Sequence, residues 1–444
     1  MKYSRTLQST ERFYFPKDIF YRNCNEGWLV VAVSTANWLV ITGFQKQILE
    51  HLIEGMSIGE ILPLITGGQQ QKEFQQLLAA ITAREFGNTK AAPSPIMTDV
   101  TQQITCYLTN SCNLCCDHCF MHSGKPLTKE LSKEEWLRLL TDFHLKGGQN
   151  VTFTGGEPLM HRDFESILKH AHELGLTTTV LSNGTLWTEK TISRLSPFIS
   201  EIQISIDGFD ELSNAKVRGT GHFDDVVTNI IRFANTGIRT SVATTFTLKN
   251  LQQDAGHQYR CMVEDIKAQS RYPIFFKLSK KILQGRNTNY TEEENRTYYN
   301  RIMEIEYAVD PNARYNNFME GHTPNSITKN CGFGGISIGA DGKVYYCNRL
   351  SEVESYGNIN ELPMESFIEQ GKRLNDSTSV ENLYPCNSCH LRYICCGGCR
   401  IEECNFHGKL KNHQGPMKQI KCSQETISQL EQKMIDSYLY YYKF

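Results

Sequence analysis

The sequence predicts an α/β fold: a partial (β/α)6 TIM-like barrel between an N-terminal winged-helix-like domain and a C-terminal Cys-rich domain. Three observations predict it. Short apolar runs alternate with helix-length segments from residue 103 onward, which is typical of a parallel sheet with crossover helices. The first hundred residues instead place strand-like runs before helices, and the last hundred are rich in Cys and Gly. We place the domains at residues 1–95, 100–315 and 316–444.

The N-terminal domain is predicted from two strand-like runs followed by three helices. The runs cover residues 28–33 and 38–42, and helical periodicity begins at residue 45. Ser57-Ile58-Gly59-Glu60 matches a capping box that opens a second helix, and apolar spacing marks a third near residue 77. A linker with two prolines then leads into the barrel.

The barrel is predicted from six strand–helix repeats in about two hundred residues. Its strands are expected at residues 104–108, 151–154, 178–181, 201–206, 240–245 and 274–278. In barrels of this kind the loops that follow the strands carry the chemistry. The segments after these strands therefore contain the candidate site. Little regular structure is expected in the last hundred residues, where bound metal would supply stability.

Composition and charge limit the function classes. The 444 residues carry a formal net charge of −2, which leaves no basic excess for a nucleic-acid backbone. The most apolar stretch, residues 27–41, is interrupted by polar residues, whereas a membrane-spanning helix needs about 20 apolar residues. With no apolar signal segment at the N-terminus, we expect a cytoplasmic protein that binds neither nucleic acid nor membrane. In that reducing compartment, 16 cysteines indicate metal or catalytic sites.

A cysteine motif follows the first barrel strand. Cys112, Cys116 and Cys119 form a C-x3-C-x2-C pattern where barrels place their active sites. Three thiolates suit a 4Fe-4S cluster with one open iron. A structural zinc site is the alternative, with His118 as its fourth ligand. Cys115 is expected to be a bystander.

The motif resembles that of the radical S-adenosylmethionine (SAM) family, in which three cysteines at this spacing hold the cluster and SAM chelates the open iron. The next strand ends in Thr154-Gly155-Gly156-Glu157-Pro158, similar to the family's GGEP motif. The resemblance implies that Gly155 and Gly156 allow close backbone approach and that Glu157 binds the ammonium group of SAM. It implies an enzyme in which the reduced cluster cleaves SAM to a 5'-deoxyadenosyl radical that abstracts hydrogen.

Polar residues after later strands resemble further family positions. The resemblance implies that they contact the ribose of SAM, that the arginine contacts its carboxylate, and that the histidine packs beside the cofactor. These cofactor-binding candidates are Ser182, Asn183, Ser205, Asp207, Arg218 and His118.

The C-terminal cysteines form a second ordered pattern, C-x2-C-x5-C-x3-C, preceded by Gly342-x4-Cys347. It resembles the SPASM extension of radical enzymes, which implies an iron–sulfur domain with two auxiliary 4Fe-4S clusters and three clusters in all. The resemblance implies one auxiliary cluster on Cys386, Cys389, Cys395 and Cys422, and the other on Cys331, Cys347 and Cys399. The fourth iron of the latter is either open or closed by Cys404 or another residue. Paired zinc ribbons are the alternative.

Five cysteines stand outside these assignments. Cys396 occupies a position where the family usually has glycine, which leaves open an extra or alternative ligand. The others are expected to be small buried apolar residues: Cys24, Cys106, Cys115 and Cys261.

The first ninety residues resemble peptide-recognition modules of the PqqD type, through Gly27-Trp28 and the helical segment after Gly55. Such modules bind a leader peptide as an added edge strand. The resemblance implies a radical SAM maturase that modifies a ribosomally made precursor peptide and installs a thioether, C–C or C–O crosslink. A flavodoxin or ferredoxin would supply the electron.

The sequence leaves three further functions open: a sulfatase-type formylglycine maturase, a peptide epimerase and a noncatalytic metal-binding peptide scaffold. The formylglycine branch typically has aspartate after the G-x4-C cysteine as a general base, whereas this chain has Asn348, which cannot take up a proton at neutral pH. Asp207, Glu320 and His322 are candidate bases that the sequence does not rank, so no catalytic residue is assigned.

Overall fold

The N-terminal segment folds as an antiparallel sheet followed by helices in the computed structural model of the chain, which describes residues 7–406 and 416–442. Its strands pair in the order β1–β2–β3. The elements are β1 (Ile19–Cys24), β2 (Gly27–Ala32), β3 (Asn37–Ile41), α1 (Gly43–Ile53), α2 (Ile58–Ile61), α3 (Gly68–Ala83) and the short β4 (Ile96–Met97). The sequence predicted β2, β3 and the helices but not β1, whose half-exposed residues include Arg22 and Asn23 and lack an apolar alternation.

The barrel has the predicted alternation of strands and helices. The elements run β5 (Gln103–Tyr107), α4 (Lys133–Leu145), β6 (Asn150–Thr154), α5 (Phe164–Glu173), β7 (Thr177–Ser182), α6 (Glu189–Leu195), β8 (Glu201–Ser205), α7 (Glu211–Arg218), α8 (Phe223–Asn235), β9 (Arg239–Thr244), α9 (Ala255–Ala268), β10 (Ile274–Leu278) and α10 (Glu292–Val309). Strands β5 to β10 are parallel and follow one another across the sheet. Their carboxyl ends therefore meet at one edge.

A later segment extends the barrel sheet beside β5. After α11 (Ala313–Glu320) and β11 (Ser326–Ile327), the chain forms β12 (Ile336–Ile338) and β13 (Val344–Tyr345). Strand β12 pairs in parallel with β5, and β13 pairs antiparallel with β12. The sequence did not predict this extension, because a strand as short as β12 shows no periodicity.

The C-terminal segment contains more regular structure than expected. Its elements are α12 (Met364–Ser377), β14 (Leu383–Tyr384), α13 (Arg392–Cys395), β15 (Met417–Lys418) and α14 (Gln424–Tyr441). Helix α14 starts with a capping box at Ser423 and buries Met434, Ile435 and Tyr438 in the same hydrophobic core as β2 and β3. Apolar packing as well as metal can therefore stabilise this segment, which corrects the expectation of little regular structure.

The chain divides into two compact units, which do not follow the three domains predicted from the sequence. The barrel unit contains Val100–Pro311 and Gly332–Leu374. The terminal unit contains Met1–Asp99, Asn312–Cys331 and Asn375–Phe444. The predicted 316–444 domain is split because β12 and β13 complete the barrel sheet, whereas α14 packs in the core of the N-terminal segment.

None of the helices within residues 7–406 and 416–442 is long and apolar enough to cross a membrane.

Candidate active site

The three cysteines of the C-x3-C-x2-C motif lie on the loop after β5, here called the cysteine loop. All three are partly buried free thiols. Cys112 N donates to Gly124 O at 3.1 Å and Cys119 N donates to Cys116 O at 3.3 Å, which fixes the backbone of the loop. Leu114 N donates to the Sγ atom of Cys112 at 3.4 Å. A hydrogen bond of this kind stabilises a thiolate.

The thiols of the cysteine loop lie within electrostatic reach of one another. Burial raises the pKa of Cys116 to about 11; the Arg218 guanidinium opposes the rise, and charge on Cys112 and Cys119 adds to it. Burial also raises the pKa of Cys112, and charge on Glu157 and Cys119 adds to that rise. Three neighbouring thiolates therefore need a strong counter-charge, which bound iron supplies.

Two glycines bring the end of β6 against the cysteine loop. Gly155 has a φ of +136°, and a Cβ there would lie 2.4 Å from Thr109 O. A Cβ on Gly156 would lie 2.2 Å from Ser111 O. Gly156 N and Glu157 N donate to these same two carbonyl oxygens, each at 2.8 Å. The close backbone approach predicted from the glycines thus occurs between two segments of the chain itself.

Glu157 is fully buried and holds the turn after β7. Its carboxylate accepts hydrogen bonds from Ser182 Oγ and Asn183 N, each at 2.8 Å. Burial raises the pKa of Glu157 to about 7, although these hydrogen bonds lower it. Ser182 Oγ also accepts the indole N–H of Trp187 at 3.0 Å. Glu157 and Ser182 are therefore bonded to each other and together fix the position of the turn.

Asn183 connects the turn after β7 to the cysteine loop. Its Nδ2 donates to Asn113 Oδ1 at 2.9 Å and to the Sγ atom of Cys112 at 3.8 Å. Its Oδ1 accepts Thr185 N at 2.9 Å, which sets the orientation of the amide. Among the cofactor-binding candidates, Asn183 thus contacts a cluster-ligand candidate directly. Ser205, at the end of β8, is partly buried.

A second buried carboxylate, Asp207, lies after β8. Its Oδ2 accepts Arg218 Nε at 2.6 Å and lies 3.2 Å from His118 Nε2, and its Oδ1 accepts Thr245 N at 2.7 Å. Burial lowers the pKa of His118, and Asp207 opposes this shift. The other ring nitrogen of His118, Nδ1, is buried without a hydrogen-bond partner among the described residues. This unsatisfied atom, beside Cys119 in sequence, is consistent with a site that holds a further group.

The segment after β10 contacts the cysteine loop and was missed in the sequence. Arg286 donates from Nη1 to Cys116 O at 3.1 Å and from Nη2 to Ser123 O, and its backbone N donates to Cys119 O at 3.2 Å. A Cβ on Gly285 would lie 2.6 Å from His118 O, so the two backbones touch. The sequence signal that could have indicated this contact is Gly285 followed by Arg286 in the loop after a barrel strand.

Apart from Cys347, the remaining cysteines that were predicted as ligands lie in the terminal unit, where they fall into two groups. In the four-cysteine group, burial raises the pKa of Cys386 to about 12, with charge on the other three members adding to the rise. Leu391 N donates to Cys389 Sγ at 3.4 Å and Gly397 N to Cys395 Sγ at 3.5 Å, as Leu114 N does to Cys112. The group comprises Cys386, Cys389, Cys395 and Cys422.

The three-cysteine group contains Cys331, Cys399 and Cys404. Burial raises the pKa of Cys404 to about 11, and charge on Cys331 and Cys399 adds to the rise. Cys347 belongs to the barrel unit.

Cys396 donates its thiol hydrogen to Thr328 O at 3.0 Å, as a protonated thiol does. No three His, Cys, Asp or Glu side chains of the described residues converge on a single metal ion, a finding that concerns single ions only.

Other predicted residues lie outside these groups. Of the four cysteines expected to be buried, only Cys106 is buried, whereas Cys24 and Cys261 are partly exposed and Cys115 is exposed, so that expectation was wrong for three of them. The candidate bases are also separated: Asp207 is paired in the barrel unit, whereas Glu320 is exposed and His322 contacts two backbone carbonyls in the terminal unit.

Comparison with known families supports the interpretation of the cysteine loop. Residues 106–254 match the family model described as Radical SAM superfamily. These residues form a radical SAM domain. The domain contains the cysteine loop, both buried carboxylates and all the cofactor-binding candidates.

The relatives that match this domain carry names of different functions. The sporulation killing factor maturation protein SkfB of Bacillus subtilis is 34% identical over 151 residues, which cover 34% of this chain and 37% of SkfB. An AdoMet-dependent heme synthase of Nitratidesulfovibrio vulgaris is 27% identical over 329 residues, covering 68% of this chain and 88% of the synthase. The alignment with SkfB thus spans little more than a third of that protein.

A solved structure described as native anSMEcpe with bound AdoMet has the same fold. The TM-score is 0.51 at 17% identity, over 76% of this chain and 96% of that one.

We expect Gly156→Ala to impair iron binding. The added Cβ would collide with Ser111 O and displace the cysteine loop from β6. After anaerobic reconstitution, the radical SAM site of the variant should bind less than half of the iron that the same site binds in the wild type. Gly124→Ala is the matched control, because Gly124 belongs to the same loop, has no positive φ, and has no atom within 4 Å of the position its Cβ would take. Equal iron in both variants would contradict the proposed contact.

We also expect Arg286→Ala to loosen the cysteine loop. Without the guanidinium, the carbonyl of Ser123 loses its Nη2 donor and that of Cys116 keeps only the backbone N–H of Cys119, so the loop opens more often. In the metal-free protein, alkylation of Cys112, Cys116 and Cys119 by iodoacetamide should accelerate several-fold, as measured by mass spectrometry. The exposed Arg296 provides the control substitution to alanine. An unchanged alkylation rate would show that the contact does not hold the loop.

Proposed function

We propose that this chain is a radical SAM enzyme that modifies a ribosomally made precursor peptide and installs a thioether, C–C or C–O crosslink. The observation that carries the proposal is the radical SAM domain with its cysteine loop, because this domain defines the reaction class. The name of SkfB, a maturation protein, supports a peptide substrate. An electron donor such as flavodoxin or ferredoxin and a cytoplasmic location complete the proposal.

The residues of the barrel unit fit the cofactor in defined roles. Cys112, Cys116 and Cys119 would hold a 4Fe-4S cluster whose open iron binds SAM, and reductive cleavage of SAM then supplies a radical that abstracts hydrogen. Asn183 and Arg286 hold the cysteine loop in shape through its sulfur and carbonyl atoms. We propose that the other candidates bind SAM as the sequence predicts: Gly155, Gly156, Glu157, Ser182, Ser205, Asp207, Arg218 and His118.

The ionisation of two of these residues limits what they can do. With a pKa near 7, the buried Glu157 is only partly ionised at neutral pH, so a nearby ammonium group would favour its charged form. Arg218 Nε donates to Asp207, and this ion pair is buried. The pair holds the guanidinium in a fixed position, in which it could bind the carboxylate of a ligand. Neither residue needs to transfer a proton, and we assign no general base.

The cysteines of the terminal unit are proposed as auxiliary cluster ligands in a SPASM-like arrangement. Cys386, Cys389, Cys395 and Cys422 would hold one 4Fe-4S cluster. The backbone N–H bonds to two of these sulfurs support thiolate ligands. Cys331 and Cys399 would hold the second cluster. Cys404 is the candidate for a further ligand of this cluster, because it is buried and lies within electrostatic reach of both cysteines. Cys347 remains a ligand predicted from the sequence.

A PqqD-like role for the N-terminal segment is consistent with its three-stranded sheet and helices. A leader peptide could add to an outer strand of this sheet through main-chain hydrogen bonds. On one side, Trp38 of β3 donates its indole N–H to Met434 O of α14 at 3.2 Å, so that helix packs beside β3. On the other side, no backbone partner of β1 besides β2 is found within the described residues. We therefore propose β1 as the edge that receives the peptide.

A porphyrin is the second candidate substrate. The alignment with the heme synthase covers two thirds of this chain, which is longer than the alignment with SkfB. A formylglycine maturase is not favoured, because Asn348 stands at the position of the base and its backbone carbonyl accepts Tyr107 Oη at 2.9 Å. A peptide epimerase differs from a crosslinking maturase only in the product, and a noncatalytic scaffold would not cleave SAM.

Cys116→Ala should abolish SAM cleavage, whereas Cys115→Ala should not. Cys115 is an exposed neighbour in the same loop and lies outside the motif, so it controls for general damage. Wild type should bind about twelve irons after anaerobic reconstitution and form 5'-deoxyadenosine with dithionite and SAM, measured by chromatography. Zinc without iron, or no 5'-deoxyadenosine under strong reduction, would overturn the radical SAM proposal.

The substrate class is tested with the reconstituted wild type. We expect a peptide encoded by a short reading frame beside the gene to change mass by loss of two hydrogens, with the new link located by tandem mass spectrometry. Iron coproporphyrin, offered in parallel, should be recovered unchanged. Conversion of the porphyrin without modification of the peptide would replace the maturase by a heme-synthase-type function. Formylglycine in the product would identify a formylglycine maturase, and an unchanged mass with inverted stereochemistry would identify a peptide epimerase.

A further inference from the structure

Arg400 is a fully buried cation in the terminal unit. Its exposed fraction is 0%. Its Nε donates to Thr378 O at 2.6 Å and its Nη1 to Gly398 O at 2.7 Å, whereas Nη2 is buried without a hydrogen-bond partner among the described residues. A guanidinium does not lose its proton in a protein, so this side chain carries its charge into the interior.

Among the described residues, no carboxylate accepts a hydrogen bond from Arg400, although the Glu403 carboxylate lies against Gly398 in the same turn. The segments outside the described ranges contain no aspartate or glutamate, so they cannot supply such a side chain either. A buried charge without a partner is strongly unfavourable, and a buried N–H without an acceptor adds to the cost. Nη2 therefore has a hydrogen bond to donate that no described residue accepts, and an anionic acceptor there would also balance the charge.

Sulfur atoms of the neighbouring cysteines are anionic candidates near this guanidinium. Arg400 directly follows Cys399 and is bonded to the carbonyl of Gly398, which belongs to the same turn. Nη1 of Arg400 also lies 3.3 Å from the position that a Cβ on Gly397 would take, and Gly397 N donates to Cys395 Sγ at 3.5 Å. The guanidinium therefore lies in the turn that joins Cys395 of the four-cysteine group to Cys399 of the three-cysteine group.

We propose that Arg400 is the counter-ion of the auxiliary iron–sulfur site, with Nη2 donating a hydrogen bond to an anionic sulfur held there. This inference rests on the proposed auxiliary clusters. A cluster bound by thiolates carries net negative charge, and each added electron increases it. A fixed positive charge stabilises the reduced state by Coulomb attraction, so Arg400 raises the reduction potential. Arg400 is then a positioning residue for the auxiliary redox site.

The test uses the full chain with Cys112, Cys116 and Cys119 all replaced by alanine, so that only auxiliary clusters contribute. Arg400→Met and Arg400→Gln remove the charge, and glutamine can still donate one hydrogen bond. Arg84→Met is the matched control, because Arg84 is also buried with unpartnered nitrogens but packs on the Trp38 ring. Iron content and the midpoint potential from an EPR-monitored redox titration are measured for each.

Both Arg400 variants should shift an auxiliary midpoint potential to more negative values or lose the iron of one cluster, while Arg84→Met keeps the parent values. Parent-like iron and potential in the Arg400 variants would overturn the inference, as would an equal loss of iron in Arg84→Met and the Arg400 variants. If Arg400→Met does not fold, Arg400→Gln decides. Absence of iron from the parent itself would instead refute the auxiliary clusters of the proposed function.

Discussion

Two buried carboxylates, Glu157 and Asp207, determine how the carboxyl edge of the barrel is built. Neither side chain is accessible to solvent, so each must obtain hydrogen-bond donors from the protein. Glu157 takes donors from the turn after β7, and Asp207 takes donors from the end of α7 and from the segment after β9. Consecutive strand ends are thereby joined into one surface, because a missing donor would leave a buried charge unpaired.

The same carboxylates determine the electrostatics at the cysteine loop. Asp207 keeps Arg218 in place, and the guanidinium opposes the rise that burial causes in the pKa of Cys116. Removing one partner of a buried pair typically costs about 3–5 kcal/mol, so this arrangement tolerates little change. The cysteine loop itself is held from three directions: by Gly155 and Gly156, by Asn183 and by Arg286. A metal site is preorganised when its ligands are supported in this way.

The terminal unit also contains a buried charged side chain, but this one is a cation. Its buried cation, Arg400, is satisfied by two carbonyls and lacks a third acceptor among the described residues. In the barrel, the buried charges meet protein partners, whereas one nitrogen of Arg400 meets none among the described residues. The apolar core around Trp38 and α14 gives this unit a stability that does not depend on metal alone, which the cysteine content of the sequence had concealed.

The secondary-structure elements that the sequence predicted correctly are those whose pattern lies in neighbouring residues. The barrel strands begin and end within two residues of their predicted bounds, since alternating apolar runs and turn residues are read from neighbouring positions. Strand β1 was missed because half-exposed polar residues conceal its pairing with β2. Strand β12 was missed because its stability comes from pairing with β5, more than two hundred positions away in the sequence. Helix α14 had both a capping box and apolar spacing, and was overlooked among the cysteines.

The sequence by itself identified the radical SAM domain, because the spacing of three cysteines on one loop and the Gly155-Gly156-Glu157 run are contiguous patterns that can be recognised without knowledge of distant contacts. Only the tertiary structure decided what these residues touch. It showed that the glycines pack against the cysteine loop, that Glu157 binds Ser182 and Asn183, and that Arg286 donates to carbonyls of the cysteine loop. Such contacts join residues far apart in the chain, and the need to satisfy buried polar groups selects them only after the chain has folded.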